Sequence, residues 1–362
     1  MSMLPSHSST KAFFLLVLSA FTITACGGSG GGNNGALDTS GEWLIPTQFV
    51  ADGGPGKDGI PALSNPSYES AASTTTLGAD DLVIALRSEG QVKVFSHDIM
   101  NWHEIVNDGP TSNPFIMSYC PLTGSAMAWK GRAADANPTF GVSGLLYNSN
   151  LILYDRATDS LWSQMLQLAV NGPRIREQGE VIQVIETTFS TLTAMYPDAL
   201  VMTRDTGHNR NYDQYPYGDY LTSTRLLFQV SNADNRLHPK ERTIGIYSGS
   251  SAKVYQLTGF GASTQTINEQ FDSQPIVVVG NSVLNYAAIY SSQLSDGTIL
   301  TFNPIQDDLP NVMSDTEGNV WDIFGTAVSG PRAGAQLDTT RSYTAMWFAW
   351  VSIFDAVEIH FN

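Results

Sequence analysis

The sequence predicts an α+β protein that is predominantly β, with an internal duplication of two β-rich repeats packed as one pseudo-symmetric unit. Short apolar or alternating runs are separated by Gly, Pro, Asn and Asp, which is typical of strands joined by turns. The same motifs recur about 160 residues further along the chain. Only a few segments have a composition that favours helix.

Composition restricts the class of protein. The 362 residues include 18 Lys and Arg against 34 Asp and Glu, which gives a formal net charge of −16. Charged residues make up 14% of the chain and apolar ones 42%, so most of the chain is not intrinsically disordered. Because few cations are available to neutralise phosphates, nucleic acid is not an expected partner.

Residues 1–25 have the pattern of an export signal. Lys11 precedes an apolar stretch that is too short to span a bilayer. The segment ends Ile-Thr-Ala before Cys26, which resembles a bacterial lipobox whose Cys is acylated; the alternative is an ordinary secretory signal with an incidental Cys. Since Gly27 and not Asp follows, we expect a lipid-anchored protein of the bacterial cell envelope, held at the outer membrane through Cys26.

Residues 26–39 and 40–79 form the next two segments of the predicted organisation. The first contains the run GGSGGGNNG and predicts a flexible tether with a root-mean-square span of ~15–20 Å. The second is an N-terminal lead-in to the repeats.

The predicted repeats cover residues 80–205 and 243–362. In the first, Asp155 and Trp162 precede Ala-Val-x-Gly-Pro-Arg, and in the second Asp315 and Trp321 precede the same motif. Residues 206–242 join the two repeats and contain four Tyr within a short stretch. We expect each repeat to be built from short strands and two helices, with helices predicted over Asp98–Glu104, Thr188–Met195 and Thr340–Ser352.

The first repeat carries the chemistry that the second lacks. If Cys26 serves the anchor, Cys120 is the one remaining thiol, and no intramolecular disulfide can form. Cys120 follows an apolar strand, where sites are often built, and the repeat places Asn281 or Gly280 opposite it. His103 lies opposite Ser263 or Thr264.

Three interpretations of Cys120 and His103 stay open on the sequence alone. The two residues could hold copper or zinc, with Glu104 and Asp108 as further ligands or orienting groups. His103 could instead act as a base for a nucleophilic Cys120. The third interpretation is a small buried thiol beside a core histidine.

Four further residues are predicted to line a ligand site. The Tyr-rich segment could form the wall of a cleft or pack one repeat on the other, and it contributes Tyr212 and the neighbouring cation Arg210. Gln164 is not repeated in the second copy. His97 lies at the start of the helix predicted before His103.

Several long motifs resemble the bacterial domain-of-unknown-function family 3179. They are GGPGKDGIPAL (53–63), NWHEIVND (101–108), YCPLTG (119–124), TFGVSGLLYNSNLILYDRATDSLWSQ (139–164) and Tyr-Pro-Asp at 196–198. The resemblance covers about residues 50–362 and implies an exported, often lipid-anchored protein, without implying a reaction. Many members that resemble this chain have the motif Cys-Pro-Leu-Cys, whereas residues 120–123 of this chain are Cys-Pro-Leu-Thr. The resemblance therefore points to a site with His103 and Cys120 and away from a site with two thiols.

The sequence therefore predicts a lipid-anchored envelope protein with a Cys/His site that binds copper or zinc, to which no reaction can be assigned. A thiol-dependent enzyme is the first alternative. A ligand-binding or scaffold lipoprotein with no chemistry at Cys120 is the second.

Overall fold

The computed structural model describes residues 41–360, which form six antiparallel or mixed sheets arranged as a six-bladed β-propeller. The chain is mostly β, with 41% strand and 10% helix. The predicted α+β class with two packed repeats was wrong. Short strands and turns indicate β structure correctly, but they do not reveal that the structural unit is a blade of three to five strands.

The first three blades have five strands each. In spatial order, blade 1 contains Val184–Thr188, Leu82–Ser88, Gln91–Ser96, Leu200–Met202 and Tyr68–Ser70. Blade 2 contains Val181–Ile182, Ser125–Lys130, Phe115–Cys120, Ile105–Asp108 and Leu63–Ser64. Blade 3 contains Val50–Asp52, Phe140–Tyr147, Asn150–Asp155, Leu161–Ser163 and Leu168–Asn171.

The last three blades are smaller. Blade 4 contains Ser342–Met346, Arg242–Ser248, Ser251–Gln256 and Ala356–His360. Blade 5 contains Gln265–Phe271, Gln274–Asn281 and Tyr286–Ser291. Blade 6 contains Phe302–Pro304, Asn311–Asp315, Val320–Asp322 and Ala327–Ser329.

Shared hydrophobic cores join the blades into a ring. One core joins blades 2, 3 and 4, a second joins blades 5, 6 and 1, and two smaller ones join blade 1 to blade 2 and blade 4 to blade 5. The two largest cores each extend across both halves of the ring, so the halves are packed together and not merely adjacent.

Within each half, the chain makes three blades and then returns to the first. Val184–Thr188 pairs antiparallel with Leu82–Ser88, and Leu200–Met202 then pairs parallel with the next strand of blade 1. In blade 4, Ser342–Met346 and Ala356–His360 make the same two pairings. The sequence similarity therefore relates blades 1 and 4, 2 and 5, and 3 and 6.

The recurring Asp and Trp confirm this correspondence at the level of side chains. The indole of Trp162 donates a hydrogen bond of 3.0 Å to Asp155 Oδ2 in blade 3. The indole of Trp321 donates one of 2.8 Å to Asp315 Oδ2 in blade 6. Both Trp side chains are buried, so each Asp satisfies an indole N–H that would otherwise be left without a partner in the core.

Two segments lie outside the repeats. The lead-in contributes one edge strand to each of blades 1, 2 and 3. The connecting segment, residues 206–241, contains no helix or strand and packs Tyr215, Tyr217, Tyr220 and Phe228 on the core of blades 2, 3 and 4.

Three short α-helices are present in the described residues. Helix α1 (His97–His103) and helix α2 (Phe189–Met195) agree with the prediction within one residue at either end. Helix α3 covers only Trp347–Ile353. The predicted helix over 340–352 was wrong in its first half, because Ser342–Met346 pairs with blade 4. None of the helices in residues 41–360 is long and apolar enough to cross a membrane.

Candidate functional site

Cys120 is the last residue of its strand and pairs with Ser125 across a four-residue hairpin loop. In blade 5, Asn281 is the last residue of the corresponding strand and pairs with Tyr286 across a loop of the same length. The structure thus places Cys120 opposite Asn281, one of the two positions expected. The Asn281 side chain accepts a hydrogen bond from the backbone amide of Leu284 in the same hairpin loop. A thiol at this position does not reproduce that bond.

The Cys120 thiol is buried, with 1% of its surface exposed. Its sulfur lies 3.7 Å from the carbonyl oxygen of Ser149, to which it donates. Burial, together with the nearby Glu104 carboxyl, raises the pKa of Cys120 to about 11. The thiolate is therefore scarce near neutral pH, and this environment opposes a role for Cys120 as a nucleophile.

His103 is fully buried, and both of its ring nitrogens have partners other than Cys120. Nδ1 lies 2.8 Å from the carbonyl oxygen of Pro61, which can only accept, so Nδ1 carries the proton. Nε2 then accepts from the Tyr212 hydroxyl at 2.7 Å. Burial lowers the pKa of His103 to about 4. The ring is therefore neutral near pH 7, and its one acceptor nitrogen is occupied.

Asp108 belongs to a separate ion pair. Lys93 Nζ and the Tyr68 hydroxyl each donate to Asp108 Oδ2 at 2.5 Å. The corresponding pair in the second half joins Lys253 and Glu269 at 2.6 Å. Asp108 is therefore part of the common framework of the two halves.

No group of three or more His, Cys, Asp or Glu side chains in residues 41–360 is placed to hold a metal ion. His103, Asp108 and Cys120 each have their own partners, as described above. The proposed copper or zinc ligand set is therefore not assembled by these side chains. Cys26, the predicted lipidation site, lies outside the described residues.

Glu104 is the predicted site residue with the most unusual position. It follows helix α1 and adopts φ 59° and ψ −30°. In the second half, the corresponding 3-10 helix, Leu257–Phe260, is followed by Gly261 with φ 69°. A side chain at positive φ of this kind costs about 1–3 kcal/mol. The first residue after the helix is thus a glycine in the second half and a strained glutamate in the first, although the strand pairing aligns Glu104 with Gln265.

The surroundings of the Glu104 carboxyl add a second cost. The residue is 5% exposed, and no side chain or amide among residues 41–360 donates a hydrogen bond to the carboxyl. Burial alone raises the pKa of Glu104 to about 8. The group is therefore mostly a neutral carboxylic acid at pH 7, able to donate one hydrogen bond and to accept others.

Glu104 opens onto a cavity of about 460 Å³. Its walls are mainly apolar and come from four parts of the chain: the lead-in, the hairpin loop after Cys120, blade 3 and the connecting segment. The lining residues are Gly53, Pro55, Ile60, Glu104, Leu122, Val142, Gly144, Leu145, Leu146, Leu151, Tyr217, Leu227 and Phe228. We call this space the Glu104 cavity.

Tyr217 supplies the second polar group of the Glu104 cavity. Its hydroxyl has no hydrogen-bond partner within residues 41–360. Burial raises its pKa, and the Glu104 carboxyl and the Cys120 thiol nearby act in the same direction. Glu104, Cys120 and Tyr217 are therefore neighbours, and two of the three have unused hydrogen-bonding capacity facing the cavity.

The other predicted ligand-lining residues lie elsewhere. His97 and Tyr212 line a different cavity of about 380 Å³, with Asp98 and Arg204 in its wall. The guanidinium of Arg210 lies over the Trp102 ring at 5.8 Å. Gln164 is buried in a network with Ser118, Ser125 and Asn150, all of whose bonds are within the protein.

Tyr217 was missed as a site residue, although the Tyr-rich segment that contains it was identified as a cleft wall or a packing loop. The segment does both. The Tyr220 hydroxyl donates a hydrogen bond of 2.9 Å to the carbonyl oxygen of Leu122, while Tyr217 lines the cavity. The strand pairing aligns Glu104 with Gln265, so the repeat did not mark Glu104 by a glycine at the same position.

No curated protein and no solved structure shows significant similarity to the chain. A sequence profile does match it: the family described as a protein of unknown function (DUF3179) covers residues 57–356, which include all six blades apart from the first and last edge segments. The resemblance seen in the sequence motifs is thereby confirmed, and the chain belongs to the DUF3179 family.

Proposed function

We propose that this protein binds a small, mostly apolar ligand that carries a hydrogen-bond-accepting oxygen, and that the Glu104 cavity is the binding site. The observation that carries the proposal is Glu104 itself, a buried carboxyl that has no partner, faces an apolar cavity and is held at positive φ. Burying a polar group without a partner costs a few kcal/mol, so its retention is accounted for if a ligand completes the hydrogen bonding.

The two polar groups define the chemistry of the ligand. A neutral Glu104 donates a hydrogen bond, and the Tyr217 hydroxyl can donate a second one to the same oxygen. A carbonyl oxygen accepts two such bonds, while the leucine, valine and phenylalanine side chains contact the rest of the molecule. The volume of about 460 Å³ is within the usual range for small-molecule sites.

Leu227 marks the entrance of the cavity. It is one of few large apolar side chains in residues 41–360 that are substantially exposed, at 37%, and it also lines the cavity. Leu221 is exposed to 46% on the same connecting segment but lines the other cavity. The two leucines therefore offer a matched pair of substitutions.

Displacement of a fluorescent hydrophobic probe, N-phenyl-1-naphthylamine, would test the proposal. We expect 2-decanone to displace the probe more effectively than decane does, and Leu227→Trp to abolish the uptake that Leu221→Trp leaves intact. Glu104→Leu should remove the preference for the ketone while keeping probe binding. Equal probe binding in both Trp variants, or an equal response to ketone and alkane, would contradict the proposal.

The cellular location is part of this proposal. The lipobox motif that ends at Cys26 supports anchoring in the bacterial outer membrane, which would place the propeller where exogenous small molecules arrive. Fractionation of cells that express the wild type and Cys26→Ser tests it: we expect the wild type with the membranes and the variant in the soluble fraction. A wild-type protein without covalent lipid would contradict the anchor.

The prediction of copper or zinc at Cys120 stays a prediction. The described geometry supports a ligand cavity better, because the donor groups named for the metal do not converge. Metal analysis of tag-free protein beside Cys120→Ala and His103→Ala would test it directly.

A further inference from the structure

A second cavity lies between blades 3 and 4, and its chemistry is opposite to that of the Glu104 cavity. It has a volume of about 370 Å³ and is lined by Leu166, Leu168 and Tyr247, together with Gln178, Ser248, Gly249 and Arg341. No Asp or Glu is among these lining residues. In a chain of net charge −16, a cavity with a cation and no acid is unusual.

Arg341 is distinguished from most cations of the protein. Among residues 41–360, every Lys and Arg is in an ion pair with a carboxylate except Arg210, Lys240 and Arg341. Lys240 is buried over the Tyr220 ring and donates to a backbone carbonyl. Arg210 lies against Trp102 and lines none of the cavities described above. Among residues 41–360 and the cavities described above, Arg341 is the cation that lines a cavity without a paired carboxylate.

The neighbours of Arg341 fix its position without neutralising it. Its Nη1 lies 3.3 Å from the Tyr247 hydroxyl, and its Nη2 lies 2.5 Å from Gln178 Oε1. The Tyr247 hydroxyl donates a hydrogen bond of 2.7 Å to the carbonyl oxygen of Leu166. It can therefore act toward the guanidinium only as an acceptor. These acceptors are neutral, and Nε makes no hydrogen bond with any described residue.

One acid beside this rim already accepts a hydrogen bond. Asp272 accepts a hydrogen bond from the Ser248 hydroxyl, and it does not line the cavity. A guanidinium pre-positioned in this way forms strong, paired hydrogen bonds with a carboxylate or a phosphate. Leu166 and Leu168 provide apolar surface beside it.

We propose that the cavity between blades 3 and 4 binds a small organic anion, in which a carboxylate or phosphate contacts Arg341 and a short apolar group contacts Leu166 and Leu168. This site is independent of the Glu104 cavity. It uses a charge that the rest of the fold leaves uncompensated, and its occupant differs in sign and polarity from the neutral ligand proposed above.

Isothermal titration calorimetry of the full chain with hexanoate, hexyl phosphate, hexanol and inorganic phosphate tests the proposal. We expect saturable binding of hexanoate or hexyl phosphate and none of hexanol, and the stronger of the two anions identifies the head group. Arg341→Gln should weaken that binding at least tenfold. Arg210→Gln, which removes the other unpaired arginine, should leave it unchanged.

Two more variants make the result decisive. Ser248→Asp places a carboxylate at the rim while keeping Arg341, so it should also weaken binding, and it serves as the test if Arg341→Gln proves to be unfolded by circular dichroism. Leu227→Trp should have no effect, which separates this site from the Glu104 cavity. Binding that survives both Arg341→Gln and Ser248→Asp, binding of inorganic phosphate alone, or no saturable binding would overturn the proposal.

Discussion

The two halves of the ring share a framework but differ in what covers it. The hairpin loop of blade 2 and that of blade 5 follow corresponding strands, yet Leu122 in the first is 4% exposed and Val283 in the second is 69% exposed. The connecting segment covers Leu122, because its Tyr220 side chain donates a hydrogen bond to the Leu122 carbonyl oxygen. The same segment forms part of the cavity wall. No equivalent segment covers Val283.

This difference shows where an enclosed cavity can form in a duplicated fold. The lead-in pairs with blades 1, 2 and 3, and the connecting segment packs on the core of blades 2, 3 and 4, so together with the hairpin loop of blade 2 they enclose the Glu104 cavity. Enclosure then allows a carboxyl such as Glu104 to be desolvated, whereas the corresponding turn of the second half keeps Gly261. A covering segment can therefore provide a site without change to the blades themselves.

The largest expected effect tests the shared framework. Trp162→Ala and Trp321→Ala should each lower the free energy of unfolding by about 3–5 kcal/mol, because each removes a buried ring and leaves an Asp without its indole donor. Urea unfolding of the two variants measures this. The two losses should agree within about 1 kcal/mol; a much smaller loss at one site would break the equivalence of blades 3 and 6.

The second prediction concerns pH and is specific to the first half. The pKa of Glu104 is about 8 in the folded chain, above its ordinary value of 4.5. Between these two pH values the folded state holds a proton that the unfolded state has lost. The free energy of unfolding should therefore fall as pH rises through this window, by up to about 1.4 kcal/mol per pH unit.

Glu104→Gln should remove that part of the pH dependence and stabilise the protein at pH 8 by a few kcal/mol relative to wild type. Thermal and urea unfolding between pH 5 and pH 9 measure it. Between pH 4.5 and 6.5, His103 contributes the opposite slope, because its lowered pKa favours the neutral folded form, and Glu104→Gln should leave the His103 contribution alone in this range. An unaltered slope between pH 5 and 8 would contradict the assignment.

The third prediction compares thiols in the two hairpins. Because the pKa of Cys120 is about 11, its thiolate fraction at pH 8 is about 100-fold lower than that of a thiol with a pKa near 9, before steric protection is counted. In a Cys26→Ser background, Cys120 should react with Ellman's reagent only after unfolding. A control variant, Cys26→Ser with Cys120→Ser and Val283→Cys, should react at once; rapid labelling of native Cys120 would favour the thiol-enzyme interpretation.

The smallest expected effect lies in the turn backbone. Gly261→Ala should destabilise the protein by about 1 kcal/mol, because it introduces a side chain at positive φ. Glu104→Gly should remove the same strain in the first half and stabilise the protein at pH 5, where the Glu104 charge no longer contributes. Unfolding at pH 5 measures both; destabilisation by Glu104→Gly would show that the carboxyl has a structural partner.

The individual strands and helices could be predicted from the sequence more fully than the arrangement of the strands into blades. Runs such as Gln91–Ser96 and Phe115–Tyr119 alternate or stay apolar over strand length, and helix α1 follows the first of them with a clear change of pattern. The ring could not be predicted, because each first blade combines distant segments. Tyr68–Ser70 pairs with Leu200–Met202, and neither strand is long enough to carry a pattern of its own.

The candidate site was found only in part for the same reason. The contrast between the repeats pointed to the region of Glu104 and Cys120, where the structure has the Glu104 cavity. It could not show that His103 faces Pro61 and Tyr212, because these partners come from the lead-in and the connecting segment. A comparison of repeats contains no information about segments that are not repeated, and this is where Tyr217 belongs.

The return of the chain to blades 1 and 4 has a consequence for synthesis on the ribosome. Blade 1 obtains its Leu200–Met202 strand only after blades 2 and 3 have been made, and blade 4 obtains its Ala356–His360 strand only at the end of the described chain. A nascent chain that stopped before residue 342 would carry blade 4 as an unfinished hairpin with two unpaired edges. Such an edge invites pairing with other chains, so release of a complete polypeptide protects this protein from aggregation.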